Sequence, residues 1–556
     1  MEKISHVKIR NAALSIILTE VYYYLFLISH PLYMHSDNWE VAVVTAGYYG
    51  NNYCQYIHPL LCFIIKGVGE VLSSADVFTL LTHLAIGIGI ALILYLLLTH
   101  FSEILVKKLP DYLILAVILL ALFFFTNELR IWNANYNIQT GAVIFFGLII
   151  LYCSLYQVRS GWWILAGTAL LAFGFMLRVA VTFLFLPYIG LEIITYLLEG
   201  RSRQKIIHHI FPVVLVITTL FAVRFAFLSA NNTRSEAYNQ YRTIMVDYPV
   251  KSWHELENPD FSEIDYQAAS NWFFADTENM NTELLEKMAA AGQKNAYSFL
   301  DIHKILAKMW RTSVKTDVYM ALFLVEIALL AIWNILTCKS KWRKAETILS
   351  VIGSFVILYY FTFRGRAPLR VWQPVLFAAG TVLISAALQD KKASGKAKTT
   401  NEILLLSLFA LLWFGAGQMI AHAEFMKPQN VLTARKDIDD SFYEETFEED
   451  AVYIWPNWHA TIPKHFMNLG KLPTQRVLDH NIAAGDWTYG QDYYIEHLNR
   501  IGVPNPAKAL LFRDNTYLME GNDQIIVDYL SEHYGKKVQL VEVGAIDTLT
   551  IYRISR

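Results

Sequence analysis

The chain runs to 556 residues, 55% of them hydrophobic and 17% charged, with a mean hydropathy of +0.34. A soluble domain carries roughly a quarter charged residues, so this composition excludes an ordinary soluble protein and points to the membrane. A net charge of −2 gives no basic face for a nucleic-acid partner, and the four scattered cysteines form neither a disulfide framework nor a thiolate metal site.

The N-terminus is basic (Lys3, Lys8, Arg10) ahead of an apolar run, and no small-residue cleavage site follows. It reads as an uncleaved first helix. A spanning helix needs about 20 mostly apolar residues, a ruler that marks about eleven spans. They fall at roughly 12–31, 75–99, 111–127, 139–157, 161–177, 179–198, 206–228, 315–337, 345–363, 367–389 and 403–423. Two shorter pieces, 38–49 and 59–72, are expected to lie as juxtamembrane helices in the first outer loop.

Charge orients the bundle. With the N-terminus inside, the cytoplasmic connections hold Lys107-Lys108, Arg159, Arg201/Arg203/Lys205, Lys339/Lys341/Arg343/Lys344 and Lys391/Lys392/Lys396/Lys398. Each is basic, as the positive-inside rule requires. An odd number of spans then puts the C-terminus outside. The expected protein is a multi-pass cell-membrane protein, an all-α polytopic bundle with a small C-terminal α/β domain. Its parts are an N-terminal membrane module, 1–228, with the first outer loop at 32–74; an extracytoplasmic loop domain, 229–314; C-terminal spans, 315–423; and an extracytoplasmic α/β domain, 424–556. In the loop domain, 281–311 has helical spacing (Leu284, Leu285, Met288). In the last domain, strands are expected at 451–455, 509–512, 538–543 and 548–552, with a helix at 524–533.

The first outer loop carries more chemistry than a connection needs. His35-Ser-Asp37-Asn-Trp-Glu40 leads into a run of tyrosines and amides, Tyr56 among them, that ends at His58-Pro59. Asp37, at the water boundary, suits a general base acting on a hydroxyl. The same spacing also suits an N-terminal capping box, with Asp37 as cap and Glu40 bonding back. His35, His58, Asp37 and Glu40 offer oxygen and nitrogen ligands for a divalent metal, and interfacial polar side chains account for the same histidines.

Arginines stand on the side where the topology rule predicts their depletion: Arg130, Arg178, Arg364, Arg366 and Arg370. Arg178 splits an apolar stretch and marks an outer turn. An ionisable group at that depth needs a cavity or a partner, and a guanidinium fork suits phosphate oxygens. Snorkelling to headgroups is the bland alternative. Arg242 and Asp247 read either as part of a lid over the pocket or as a local salt bridge. Asn133, Asn135 and Asn137 alternate in a way that suits sugar hydroxyls and turns equally.

These features together resemble the GT-C superfamily of integral-membrane glycosyltransferases, within it the bacterial group that decorates surface polysaccharides. The likeness rests on Asp37 in His-Ser-Asp-Asn-Trp-Glu, the Gly-Tyr-Tyr-Gly-Asn-Asn-Tyr run ending at His58-Pro59, Arg178 before Pro187, and Gly365-Arg-Ala-Pro-Leu-Arg370. It covers nearly the whole chain as architecture. Many members carry paired acids where this chain has Asp37-Asn38 with Glu40 further on, a departure that leaves the metal question open. The resemblance implies a polyprenyl-phosphate-linked sugar as donor and a glycan, lipid-linked glycan or protein as acceptor. It further implies inverting transfer with Asp37 as base, and arginines such as Arg178, Arg364, Arg370 and Arg130 on the leaving phosphate. Rival readings are a flippase or transporter of lipid-linked saccharides, a polymerase or ligase, and a non-catalytic scaffold.

Overall fold

The structure, a computed structural model, describes residues 2–29, 36–50, 53–72, 75–105, 132, 134–156, 161–230, 234–257, 259–312, 318–366, 368–389, 450–456, 472–521, 523–535, 537–546 and 549–555. After α1 (Glu2–Ser29) come α2 (Ser36–Ala46), α3 (Pro59–Val71), α4 (Val77–Leu105), α5 (Tyr136–Tyr156), α6 (Gly161–Leu177), α7 (Val179–Leu198) and α8 (Arg203–Ala230). A polar insertion follows, with α9 (Arg234–Asp247), α10 (Glu263–Ser270), α11 (Thr282–Gly292) and α12 (Ile302–Trp310). The chain then returns to apolar helices: α13 (Val318–Thr337), α14 (Lys341–Phe363) and α15 (Leu369–Gln389).

Among the described residues, six helices are long and apolar enough to cross a membrane: Val77–Thr99 of α4, then α5, α7, α8, α14, and Leu369–Ala387 of α15. Gly161–Leu177 and Phe323–Thr337 are shorter apolar helices. The expected span at 12–31 is helical as far as Ser29, where α1 ends, but is not among the six, and those at 111–127 and 403–423 lie outside the described residues. α5 is apolar on every side and buried almost throughout, so it sits at the centre of the bundle. α8 instead keeps an apolar surface uncovered (Phe211, Leu215, Phe225), as a span facing lipid does.

The helices share a polarity that positions the site. α6 ends and α7 begins at Arg178, while the far end of α7 runs into Arg201 and Arg203. α14 starts beside Lys339 and Lys341 and finishes at Arg364. One end of the bundle therefore carries basic connections and the other carries Arg178, Arg364 and Arg370. Arg343, expected in a basic cytoplasmic connection, lies within α14. It is buried against Glu192 (2.9 Å), Glu346 (2.6 Å), Glu199 (3.3 Å) and the Tyr156 hydroxyl (2.7 Å), tying α5, α7 and α14 together. A guanidinium at this depth persists because several acceptors surround it.

Both juxtamembrane helices form, with different surroundings. α3 leaves Leu60, Phe63 and Ile64 exposed along one face, whereas α2 is enclosed from Asn38 to Thr45. The capping-box expectation fails. α2 already includes Ser36, so Asp37 lies within its first turn, and neither Glu40 oxygen has a hydrogen-bond partner. The helix expected over 281–311 is broken in two, because Gln293 leaves the helical path to form a bridge with Val250.

The C-terminal domain contains β1 (Val452–Trp455), α16 (Gln475–His480), β2 (Asn481–Ala483), α17 (Asp492–Arg500), α18 (Pro506–Phe512), β3 (Thr516–Met519), α19 (Asp523–Tyr534), β4 (Gln539–Ile546) and β5 (Leu549–Ser555). The sheet order is β2-β1-β3-β5-β4, parallel among the first three and antiparallel beyond. The expected strand at 509–512 is helical. Asn505 caps α18 by accepting from the Lys508 N–H (3.0 Å), and Pro506 stands in its first turn, a start signal that outranks the short apolar run.

The polar insertion and this domain, distinct pieces in sequence, share one apolar cluster that also takes in α2 and α3. Asp276 is their polar junction. Its carboxylate accepts from the Glu278 and Asn279 N–H groups and from side chains of Asn279, Asn505 (2.8 Å), Tyr529 (3.3 Å) and Tyr534 (2.8 Å). Burial opposes its charge, but these donors hold the carboxyl below its ordinary value.

Candidate functional site

The site is built on how α2 docks. Asn38 donates to the Ala134 carbonyl (2.9 Å) and to Gln139 Oε1 (3.0 Å), and accepts from the Tyr136 N–H (2.6 Å). All three contacts are at the start of α5. A carboxylate at position 38 lacks the donors that two of them require, which is why an amide stands beside Asp37 here. With Asn38 fixed, Asp37 meets Asn135, whose Nδ2 donates to Asp37 Oδ2 at 2.5 Å, and Asn137 braces Asn135 in turn (2.6 Å).

From the start of α15, just past the α14–α15 turn, Arg370 Nη1 reaches the same Asp37 oxygen at 2.9 Å. Gly365 sits at φ +80 in that turn, a conformation glycine adopts without penalty, and flanks it with Arg364 and Arg366. Arg366 pairs with Asp247 at 2.8 Å, and Arg370 lies 3.7 Å from the other oxygen of Asp247. The local Arg242–Asp247 salt bridge is therefore not formed. Arg242 turns instead to Tyr56 and Asn239, both neutral, and is 2% exposed with no acid partner among its recorded contacts.

Arg178 occupies the one-residue break between α6 and α7. His58 holds the segment between α2 and α3 against this point through its backbone N–H to the Met176 carbonyl (2.8 Å). The Arg178 guanidinium lies 4.4 Å from the Tyr56 ring and 5.7 Å from that of Tyr136. Its Nε is buried without a hydrogen bond. A cation held between rings and short of acceptors is arranged to receive an anion.

Asp37, Tyr56, Arg178, Arg242, Arg364 and Arg370 thus line one cavity of about 690 Å³, together with Arg366 and Asp247. Five guanidinium groups against two carboxylates make it strongly electropositive. Three site expectations need correction. Glu40 does not line the cavity. On the helix it stands about 60° from Asp37 on the side away from Val41, and its side chain is buried in the packed interior. His58 does not line the cavity either: Nδ1 accepts from the Leu60 N–H (3.1 Å) and Nε2 donates to the Leu220 carbonyl (2.8 Å), so both nitrogens are committed. Burial also lowers its pKa, consistent with that neutral form. The metal set of His58, Asp37 and Glu40 is accordingly not assembled, and no group of three metal-ligating acids, histidines or cysteines occurs among the described residues. His35 and Arg130 lie outside the described residues.

The C-terminal domain supplies a wall that sequence reasoning missed. Trp487 lines the cavity and packs against Tyr56 with centroids 5.0 Å apart. Its loop is fixed by the Phe274 N–H donating to the Ala484 carbonyl (2.8 Å), and by Gly485 passing directly over the backbone of Trp272. Trp272, also in the wall, has φ +63, a strained value for a bulky residue that the surrounding contacts must sustain. Nothing in the residue pattern around 485–488 announces this role, since it depends on which surfaces dock.

Behind Trp487, Asp486 accepts from its own neighbours, the Trp487 N–H (2.5 Å) and the Thr488 hydroxyl (3.0 Å). Burial, with the negative charge of Asp37 adding to it, pushes its carboxyl up to about 7 from 3.8. Between those values the unfolded chain has released the proton and the folded chain retains it, so stability falls as pH rises through that window. Asp486→Asn removes this slope. The variant is expected to melt above the parent at pH 8 and close to it at pH 4. A melting difference independent of pH counts against a proton on Asp486.

Searches against protein-family models and against curated proteins return no match for this chain.

Proposed function

We propose that the chain is an integral-membrane glycosyltransferase of GT-C-like architecture, with about eleven spans by the 20-residue ruler. It moves a sugar from a polyprenyl-phosphate donor to a glycan, lipid-linked glycan or protein acceptor at the extracytoplasmic face. The carrying observation is that Asp37 and five guanidinium groups line a single cavity. The cavity end of the bundle is opposite the basic connections, which supports an extracytoplasmic site and an N-terminus inside.

The chemistry follows from charge. Breaking the bond between the sugar and the phosphate leaves negative charge on phosphate oxygens, which guanidinium donors stabilise without a general acid. Arg178 has neither an acid nor a hydrogen-bond acceptor on its side chain among the described residues, whereas Arg242 bonds Tyr56 and Asn239 and Arg364 bonds Asn295, so Arg178 is the arginine assigned first to that phosphate. Asp37 takes the proton from the acceptor hydroxyl as it attacks the anomeric carbon from the opposite side, which inverts the centre. Asn135 and Arg370 position Asp37. A lipid tail that stays in the bilayer accounts for a charged cavity at the end of an apolar bundle.

The test uses the purified full chain in lipid nanodiscs with polyprenyl phosphate as probe. Arg178→Gln removes a charge-assisted contact worth about 1.5–3 kcal/mol, so affinity is expected to fall roughly 10- to 100-fold. An unchanged affinity removes Arg178 from the phosphate site. Failure of the unaltered chain to bind the lipid phosphate or consume its glycosylated form removes the transferase reading.

A further inference from the structure

The cavity's two sides differ in chemistry. The bundle side carries Arg178, Arg364, Arg366 and Arg370 around Asp37. The side contributed by the segments folded over the bundle carries Trp272 and Trp487 with the amides of Asn239, Gln240 and Gln293, and its one arginine, Arg242, is already bonded to Tyr56 and Asn239. An anion gains less from that second side than from the bundle arginines, because amide N–H groups offer it only neutral hydrogen bonds and indole faces offer none. A pyranose does use it, because its C–H faces are apolar and its hydroxyls at the rim both donate and accept, as side-chain amides do.

The two tryptophans are also held as a binding surface is. Trp487 is 6% exposed and wedged edge-on against Tyr56, the residue that Arg178 stacks on and Arg242 bonds to. Trp272 is kept at φ +63, and Arg242 lies 5.6 Å from its ring. Tyr56 therefore joins the cationic side to the aromatic side.

We propose that Trp487, with Trp272 and the neighbouring amides, forms a pyranose subsite, so that the C-terminal domain selects the sugar. This rests on the transferase reading and adds to it a specificity role for a domain outside the bundle. Phosphate capture belongs to the bundle residues, and discrimination among sugars belongs to the cover.

The experiment compares binding of bare polyprenyl phosphate with binding of the same lipid carrying glucose, galactose or mannose, using the full chain in nanodiscs. The unaltered protein is expected to prefer one glycosylated lipid over the bare one by at least tenfold. Trp487→Ala loses that preference and keeps the bare-lipid affinity within about twofold, while Trp487→Tyr, which retains a flat face, keeps the preference. Thermal melts verify folding, and Trp487→Leu, of larger side chain but no flat face, replaces the alanine variant should it not fold. Four results overturn the subsite: a preference surviving Trp487→Ala, equal loss of both lipids on that change, no restoration by tyrosine, or no sugar preference in the unaltered protein that still binds the bare lipid. Binding of neither lipid by the unaltered protein removes the phosphate reading and the subsite with it.

Discussion

Asp37→Asn is expected to lower sugar transfer by about 10²- to 10⁴-fold, the usual contribution of a positioned general base, with donor-lipid affinity within a few-fold of the parent. The substitution keeps an oxygen that can accept from Asn135 and Arg370, so the geometry at the start of α5 is largely retained. The ion pair it removes is partly exposed, at 20% and 33% for the two side chains, and such pairs contribute little to stability. Loss of one negative charge leaves the cavity more attractive to a phosphate. A variant that binds lipid as well or better but does not turn over is therefore the signature of a missing base. Asp247→Asn is the comparison: Asp247 faces Arg366 and Arg370 and arranges them, so its loss should weaken lipid binding along with turnover. Transfer retained within a few-fold in Asp37→Asn ends the assignment of Asp37 as base.

Gly485→Ala is expected to undock the wall that Trp487 belongs to. A Cβ at position 485 falls 1.2 Å from the Trp272 carbonyl oxygen and 2.3 Å from its carbon. Both partners are backbone, so no side chain can swing aside. Overpacking of a core costs about 1–3 kcal/mol where neighbours yield, and here the loss should reach the top of that range or exceed it. The Phe274–Ala484 bond and the placement of Asp486 and Trp487 go with it. Limited proteolysis should cut the 450–555 region of the variant at rates well above the parent, and sugar transfer should fall with it. Gly502→Ala separates sterics from backbone preference. Gly502 has φ +72 but nothing within 4 Å of its absent Cβ, so only the left-handed strain of about 1–2 kcal/mol applies. Equal protease sensitivity in the two variants counts against the close approach at Trp272.

Both substitutions act on features whose legibility in the sequence differed. The arginines were visible because lipid makes charge expensive. Arg178, alone within an apolar stretch, had to face a cavity or a partner. Asp37 was visible as an acid where a helix leaves the bilayer. Glu40 and His58 were equally visible and misleading, because proximity in sequence does not say which way a helix is turned. Glu40 is rotated into the interior, and both nitrogens of His58 are spent on backbone partners. The strand expected at 509–512 failed because a cap and a proline outweighed a four-residue apolar run.

Local chemistry carries along the chain what composition and spacing can express. Apolar length makes membrane helices, basic connections mark one end of the bundle, and the strand-forming runs expected at 538–543 and 548–552 fall on the paired strands β4 and β5. Those properties arise from each segment's own contact with lipid or water, so they need no knowledge of distant residues. The cavity itself was decided only by folding. Asp37 meets Arg370 across 333 positions, and Trp487 closes over Tyr56 because Gly485 lets one backbone lie against another. Such contacts depend on complementary surfaces brought together in three dimensions, a property no single stretch of residues possesses.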